Sequence, residues 1–137
     1  MKKLFELEVG DILRRVVVSI DEVKVTDHKI LKIFDFHHNH GTSRILDYDL
    51  NGRMLRVTMN PNNEMYKIIE AQTIEDAVSS GTIILCSPEF DFKPIIINVI
   101  NKMIEYFEDY KNTLSDSIDA LKILKRKYDT ERISKSD

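Results

Sequence analysis

The chain contains 137 residues, of which 42% are hydrophobic, with only four glycines and three prolines. This composition is typical of a folded globular protein and excludes a disordered or collagen-like chain. The formal net charge of −3 provides no general attraction to nucleic acid or to an anionic membrane, so binding of either kind would need a local basic patch.

The single cysteine and the short apolar runs indicate the compartment. Cys86 has no second cysteine with which to form an intramolecular disulfide, which fits a reducing environment. Glu6 and Glu8 follow the N-terminal Leu4 and Phe5 at once, so the apolar stretch of a signal peptide is missing. No apolar run approaches the length of a membrane span. We therefore expect a cytoplasmic protein that does not bind membranes.

Residues 1–92 are predicted to form an antiparallel β-domain, either a sheet or a small barrel of five or six strands. Ile12–Ile20 alternates between apolar and polar residues, with Ile12, Val16 and Val18 on one face. Lys29–His37 has apolar residues on both faces, which predicts a central strand.

The dipeptide Asn51-Gly52 predicts a β-hairpin over Ser43–Met59, because both positions of a two-residue type I′ turn need a positive φ. This turn also fixes the register of the two strands. It places three pairs opposite each other: Leu46 and Val57, Tyr48 and Leu55, and Asp47 and Arg56. The first two pairs give the hairpin an apolar face, and the third gives its other face an ion pair.

The rest of the β-domain is predicted from turn and cap residues. Asn60–Asn63 is a turn by composition, and Met65–Ala71 is predicted to be a strand. Thr73 is a candidate N-cap for a short helix that Gly81 ends. Thr82–Ser87 is then a last, buried strand, and we expect its cysteine to be a core residue.

The last third of the chain carries a heptad pattern without glycine or proline. Positions a are Ile100, Phe107, Leu114, Leu121 and Tyr128, and positions d are Met103, Tyr110, Ser117 and Leu124. Ile104 and Ile118 at position e widen the stripe. A repeat of this period packs against another helix, because supercoiling keeps the seam facing its partner. We therefore predict a helical oligomerisation segment over residues 93–133, followed by a disordered tail at 134–137.

The charges of this segment favour an antiparallel partner. Residues 98–116 have a net charge of about −2 and residues 117–133 of about +2. One long helix and a helical hairpin that turns near Asn112–Asp116 both remain open, as does packing of the helix on its own domain. The side chains expected at the interface are Ile100, Met103, Phe107, Tyr110, Leu114, Ile118, Leu121 and Leu124.

Two polar clusters are candidate binding sites. His37, His38 and His40 could bind a transition metal with a carboxylate as a further ligand, although a polar loop explains the same residues. Four arginines, if they share one face of a small barrel, could contact the phosphates of a nucleic acid, although a solvated strand face is the simpler interpretation. They are Arg14, Arg15, Arg44 and Arg53.

No motif for nucleophilic catalysis or phosphate binding is present, so the sequence predicts a non-enzymatic protein without a cofactor. The fold class is α+β: an antiparallel β-domain followed by a long helix, coiled-coil-like or a hairpin. The main functional hypothesis is a protein-binding adaptor or regulatory module that forms a homodimer through its C-terminal helix. The alternatives are a nucleic-acid-binding β-domain that uses the arginines and a metal- or small-ligand-binding protein that uses the histidines.

Overall fold

The computed structural model describes residues 4–59 and 66–136, with side chains described for residues 5–59 and 66–129. A short 3-10 helix at Leu4–Glu6 precedes the sheet. The elements that follow are β1 (Ile12–Val18), β2 (Val23–His38), β3 (Gly41–Leu50), β4 (Arg53–Met59), β5 (Tyr66–Ile69), α1 (Ile74–Ser79), β6 (Thr82–Cys86) and α2 (Lys93–Ser136).

The six strands form one antiparallel sheet in the order β4-β3-β2-β1-β6-β5, curled into a half-barrel. Every pairing is antiparallel. The predicted fold class, an antiparallel β-domain followed by a long helix, is confirmed. The turn predicted at Asn60–Asn63 lies outside the described residues.

The predicted hairpin is confirmed with its register. Asn51 has φ 52° and Gly52 has φ 87°, as the two central positions of a type I′ turn require. Leu46 pairs with Val57, Tyr48 with Leu55 and Asp47 with Arg56. Local turn chemistry is therefore enough to align β3 with β4.

Two strand predictions need correction. β1 ends at Val18 rather than at residue 20, because the Ser19 N–H donates to the Glu22 carbonyl (3.0 Å) and turns the chain back. Ile12 is exposed, whereas Leu13 on the opposite face is buried. The strand therefore places apolar residues on both of its faces.

The second correction concerns β2, which lies between β1 and β3 as predicted but is not buried on both faces. A β-bulge between Ile30 and Lys32 shifts the register, so the inward-facing residue changes from Ile30 to Ile33. Phe34 and Phe36 consequently lie on the outer face, where both are exposed.

The main core fills the inner face of the half-barrel. Its buried residues are Leu7, Leu13, Ile30, Leu46, Tyr48, Val57, Met59 and Leu85. The other face of β1 and β6 contributes Val16, Ile84 and Cys86, all fully buried. The predictions that Thr82–Ser87 is a buried strand and that its cysteine is a core residue are confirmed.

The short helix α1 begins and ends as predicted. The hydroxyl of Thr73 accepts a hydrogen bond from the Asp76 N–H (3.0 Å), as an N-cap does. Gly81 follows the helix with φ 70°. A side chain at this position would collide with the Val18 carbonyl oxygen, so the sequence needs glycine there.

The segment Lys93–Ser136 is one continuous helix, which excludes a hairpin turn near Asn112–Asp116. The chain divides into two compact units, residues 1–100 and 101–137, so the first two turns of α2 belong to the unit that contains the sheet. Whether residues 1–92 fold without the helix, and whether residues 134–137 form a disordered tail, stay predictions. Among the described residues, no helix is both long enough and apolar enough to cross a membrane.

Candidate functional site

The C-terminal unit presents a continuous exposed apolar stripe. Met103 and Phe107 are half-buried, and every described side chain from residue 108 to residue 129 is exposed. The exposed apolar residues on α2 include Ile100, Ile104, Tyr110, Leu114, Ile118, Leu121, Leu124 and Tyr128. Leu121, in the basic half of the helix (residues 117–133), is 63% exposed. An exposed apolar surface of this length is unusual on a monomeric protein.

The three clustered histidines lie at the tip of the β2–β3 hairpin, where hydrogen bonds hold the rings of His37 and His38. Nδ1 of His37 lies 2.8 Å from the Thr42 hydroxyl, and Nε2 of His38 lies 2.9 Å from the Ser43 hydroxyl. The His40 backbone N–H donates to Nδ1 of His38 (3.2 Å), so both ring nitrogens of His38 are occupied.

This arrangement is that of a hydrogen-bonded hairpin tip. Adjacent strand residues point to opposite faces, so His37 and His38 diverge. Within residues 5–59 and 66–129, no group of three or more His, Cys, Asp or Glu side chains is arranged to hold a metal ion. Metal binding by His37, His38 and His40 stays a prediction, and it would require His38 to give up at least one of its hydrogen bonds.

The arginines do not share one face. Arg14 and Arg15 are neighbours on β1 and point to opposite sides of the sheet. Arg14 makes two hydrogen bonds to Asp27 (2.8 and 3.0 Å) and a third to the Pro88 carbonyl. Arg53 is exposed at the start of β4. Nucleic-acid binding by this set stays a prediction that the arrangement does not favour.

Arg44 is committed to the interior of the protein. It is bound to Asp35 through two hydrogen bonds (2.7 and 2.9 Å) and to the Leu7 carbonyl (2.9 Å). Its guanidinium also lies 5.1 Å from the centre of the Phe5 ring. The hydrogen bonds from Arg44 hold the pKa of Asp35 below its usual value. Arg44 therefore stabilises the fold and is not available to a phosphate backbone.

A basic cavity opens on the inner face of the half-barrel, beside the hydrophobic core. Its volume is about 490 Å³, which lies within the range of small-molecule sites in proteins. The pairing of β1 with β2 forms most of the cavity wall: Arg15 pairs with Thr26, and Val17 pairs with Lys24. Cross-strand partners point to the same face, so these four side chains surround one space. Leu50 of β3 completes the apolar part of the wall.

His28 forms the base of this cavity and was not singled out from the sequence. It is buried, with Nδ1 2.8 Å from the Asp49 carbonyl oxygen and Nε2 2.7 Å from the Thr26 hydroxyl. Because a carbonyl can only accept, Nδ1 carries the proton. The sequence contained one indication of this buried position: His28 alternates with Thr26 and Ile30 along β2 and so shares their inward face. A histidine on that face needs polar partners.

Cys86 is the only thiol of the chain and is not an available nucleophile. It is buried, and burial raises the pKa of its thiol to about 11. Little thiolate therefore forms near neutral pH.

Comparison of the chain with protein-family models, with curated proteins and with solved structures finds no match in any of the three.

Proposed function

We propose that this protein is a non-enzymatic binding module, of the adaptor or regulatory kind, that forms an antiparallel homodimer through α2. The observation that carries the proposal is the exposed apolar stripe along residues 100–128. Helices in proteins gain most of their stability from the packing of an apolar face. On α2, every described side chain beyond residue 107 is exposed. A second copy supplies that packing.

The order of residue sizes along the seam favours the antiparallel arrangement. In an antiparallel pair, each a position meets a d position of the partner. A single register then pairs four large residues with smaller or flexible ones: Met103 with Tyr128, Phe107 with Leu124, Tyr110 with Leu121, and Leu114 with Ser117. The same register places Ile100 opposite Glu131, at the end of the seam. In a parallel pair, Ser117 would face Ser117 and leave a polar gap, and Tyr110 would face Tyr110.

The charge distribution favours the same arrangement. The acidic half of α2, residues 98–116, would lie beside the basic half of the partner, residues 117–133. The register also places Lys125 over Ile104 and Lys111 over Ile118. The aliphatic stems of the lysines cover the apolar residues at the edge while their ammonium groups stay in water. The second copy thus accounts for the apolar residues at positions a, d and e.

Charged substitutions in the seam test this proposal. In Leu121→Asp or Leu114→Asp, the dimer would bury an unpaired carboxylate in each half of the seam. We expect the dissociation constant, measured by analytical ultracentrifugation, to rise by about 100-fold, equivalent to about 3 kcal/mol. Asn112→Asp, which adds the same charge at an exposed position outside the stripe, is the control and should leave self-association nearly unchanged. Unchanged association in both leucine variants would refute the proposed seam.

A further inference from the structure

We infer that the basic cavity of the half-barrel binds a small anionic molecule, whose phosphate or carboxylate group lies against Arg15 and Lys24. The inference is independent of dimer formation, because all residues of the cavity wall belong to β1, β2, β3 and the turn that follows β3.

The first argument is an unsatisfied donor. Nε of Arg15 is buried and has no hydrogen-bond partner among the described residues. A buried N–H without an acceptor is costly, and most such groups in proteins are satisfied by protein, water or ligand. Arg15 lies on the cavity wall. The terminal NH₂ groups of the same guanidinium also have no hydrogen-bond partner among the described residues, and these are the donors that an anion in the cavity would contact.

The second argument is the electrostatic balance of the wall. Arg15 and Lys24 contribute positive charge on this face, whereas Lys29, the cross-strand partner of Ile12, projects from the opposite face. The neighbouring carboxylates project from the other face of the sheet: Asp27 is the cross-strand partner of Arg14 and accepts two hydrogen bonds from it, and Asp49 alternates with the inward-facing Tyr48 and Leu50. Within the described part of the chain, neither Arg15 nor Lys24 forms an ion pair. The cavity is thus a site where positive charge exceeds the negative charge available to balance it.

The third argument is the rigidity of the site. His28 is fixed by hydrogen bonds on both ring nitrogens. The centre of its ring lies 5.7 Å from the centre of the Tyr48 ring, which belongs to the core. His28 therefore acts as a positioning residue that holds Thr26 beside Arg15. Val17 and Leu50 provide apolar surface for the uncharged part of a ligand. A preformed wall with a few placed polar groups is typical of small-molecule sites.

The experiment titrates the full-length, ¹⁵N-labelled protein with inorganic phosphate, citrate and adenosine monophosphate, and follows the arginine Nε–H resonances by NMR. We expect saturable shifts of the Arg15 Nε–H signal with at least one of these probes. Comparing phosphate with citrate distinguishes a phosphate ligand from a carboxylate ligand, and comparing both with the nucleotide shows whether the apolar wall contributes to binding.

Matched variants connect the shifts to the cavity. Lys24→Gln should weaken binding at least tenfold, while Lys122→Gln, which removes the same charge from α2, should leave the affinity unchanged. Rescue by Lys24→Arg would show that the positive charge at this position is what matters. The inference is overturned if no probe shifts the Arg15 signal at about 10 mM, well above a millimolar dissociation constant. Equal weakening by Lys24→Gln and Lys122→Gln would also overturn it, because the attraction would then be non-specific.

Discussion

Asp47 and Arg56 form a pair whose two members differ greatly in exposure. The side chain of Asp47 is 1% exposed, whereas that of Arg56 is 59% exposed. Two hydrogen bonds of 2.8 and 3.0 Å connect them, and they hold the pKa of Asp47 below its usual value. Arg56 also lies 5.5 Å from the centre of the Phe34 ring, which helps to fix its orientation.

This asymmetry predicts unequal effects of the two substitutions. Arg56→Gln leaves a buried carboxylate without its cation and should therefore cost more unfolding free energy than Asp47→Asn. Asp47→Asn removes the buried charge and leaves an exposed arginine, so it should cost about 1–2 kcal/mol. Urea denaturation measures both. Arg14→Gln in the more exposed pair with Asp27 is the control, with an expected cost below about 1 kcal/mol; equal costs for Arg56→Gln and Asp47→Asn would contradict this account.

The ion pairs of Asp27, Asp35 and Asp47 also predict acid sensitivity. Hydrogen bonds from their arginine partners lower the pKa values of Asp27, Asp35 and Asp47. A carboxyl group whose folded pKa is depressed contributes stability above its unfolded pKa, and that contribution disappears as the pH falls towards the folded value. We therefore expect the melting temperature to fall below a pH of about 4, where unfolded aspartate begins to bind protons. In Asp47→Asn this fall should be smaller, and an identical pH profile would show that Asp47 does not contribute.

For Arg15 we expect the opposite effect: its replacement should stabilise the ligand-free protein. Because its buried Nε–H lacks a partner among the described residues, replacing Arg15 by Met should raise the unfolding free energy of the ligand-free protein by about 1 kcal/mol. Arg53→Met, at an exposed position, should change it by less than about 0.5 kcal/mol. Thermal unfolding without added anions measures both. A loss of stability in Arg15→Met would mean that the arginine serves the fold rather than a ligand.

At the scale of elements, two glycines provide a matched test of backbone strain and steric fit. Gly81 and Gly10 have φ 70° and 96°, so alanine is strained at both positions. At Gly81 the new methyl group would also collide with the Val18 carbonyl oxygen, whereas at Gly10 it would meet open space. Gly81→Ala should therefore cost about 2–3 kcal/mol and Gly10→Ala about 1 kcal/mol. Chemical denaturation measures the loss of unfolding free energy in both variants, and equal losses would contradict this reasoning.

Elements set by local chemistry could be predicted from the sequence. The turn at Asn51-Gly52 aligned β3 with β4, and Thr73 with Gly81 bounded α1. The β-bulge in β2 was missed because nothing in Lys29–His37 encodes which side of the strand is covered. That choice depends on contacts with β1 and β3, and it reversed the expected environment of Phe34 and Phe36.

The candidate sites depended on tertiary structure to different degrees. The α2 stripe could be read from a seven-residue repeat, because a single helix determines which residues share a face. The cavity could not be predicted, since Arg15, Lys24 and His28 meet only through the pairing of β1 with β2. For the same reason, the sequence grouped Arg14 with Arg15, although strand alternation separates them.

At the scale of the whole molecule, the antiparallel register predicts a distance. A spin label attached to cysteine in Asp129→Cys would lie level with Lys102 of the partner subunit, so the two labels would be about 40 Å apart along the helix axes. A parallel pair would bring them within about 20 Å, because adjacent helix axes are 8–10 Å apart. Cys86 should not react at neutral pH, since it is buried and its pKa is raised to about 11. Pulsed electron paramagnetic resonance measures the distance, and a value near 20 Å would refute the antiparallel register.

The solution mass of the unmodified chain, measured by light scattering across a range of concentrations, tests the central claim most directly. The proposed dimer predicts a mass of twice the 16.0 kDa of one chain at high concentration, falling only on strong dilution. A mass of 16.0 kDa at every concentration would contradict it, because the exposed stripe on α2 would then have no second copy to cover it.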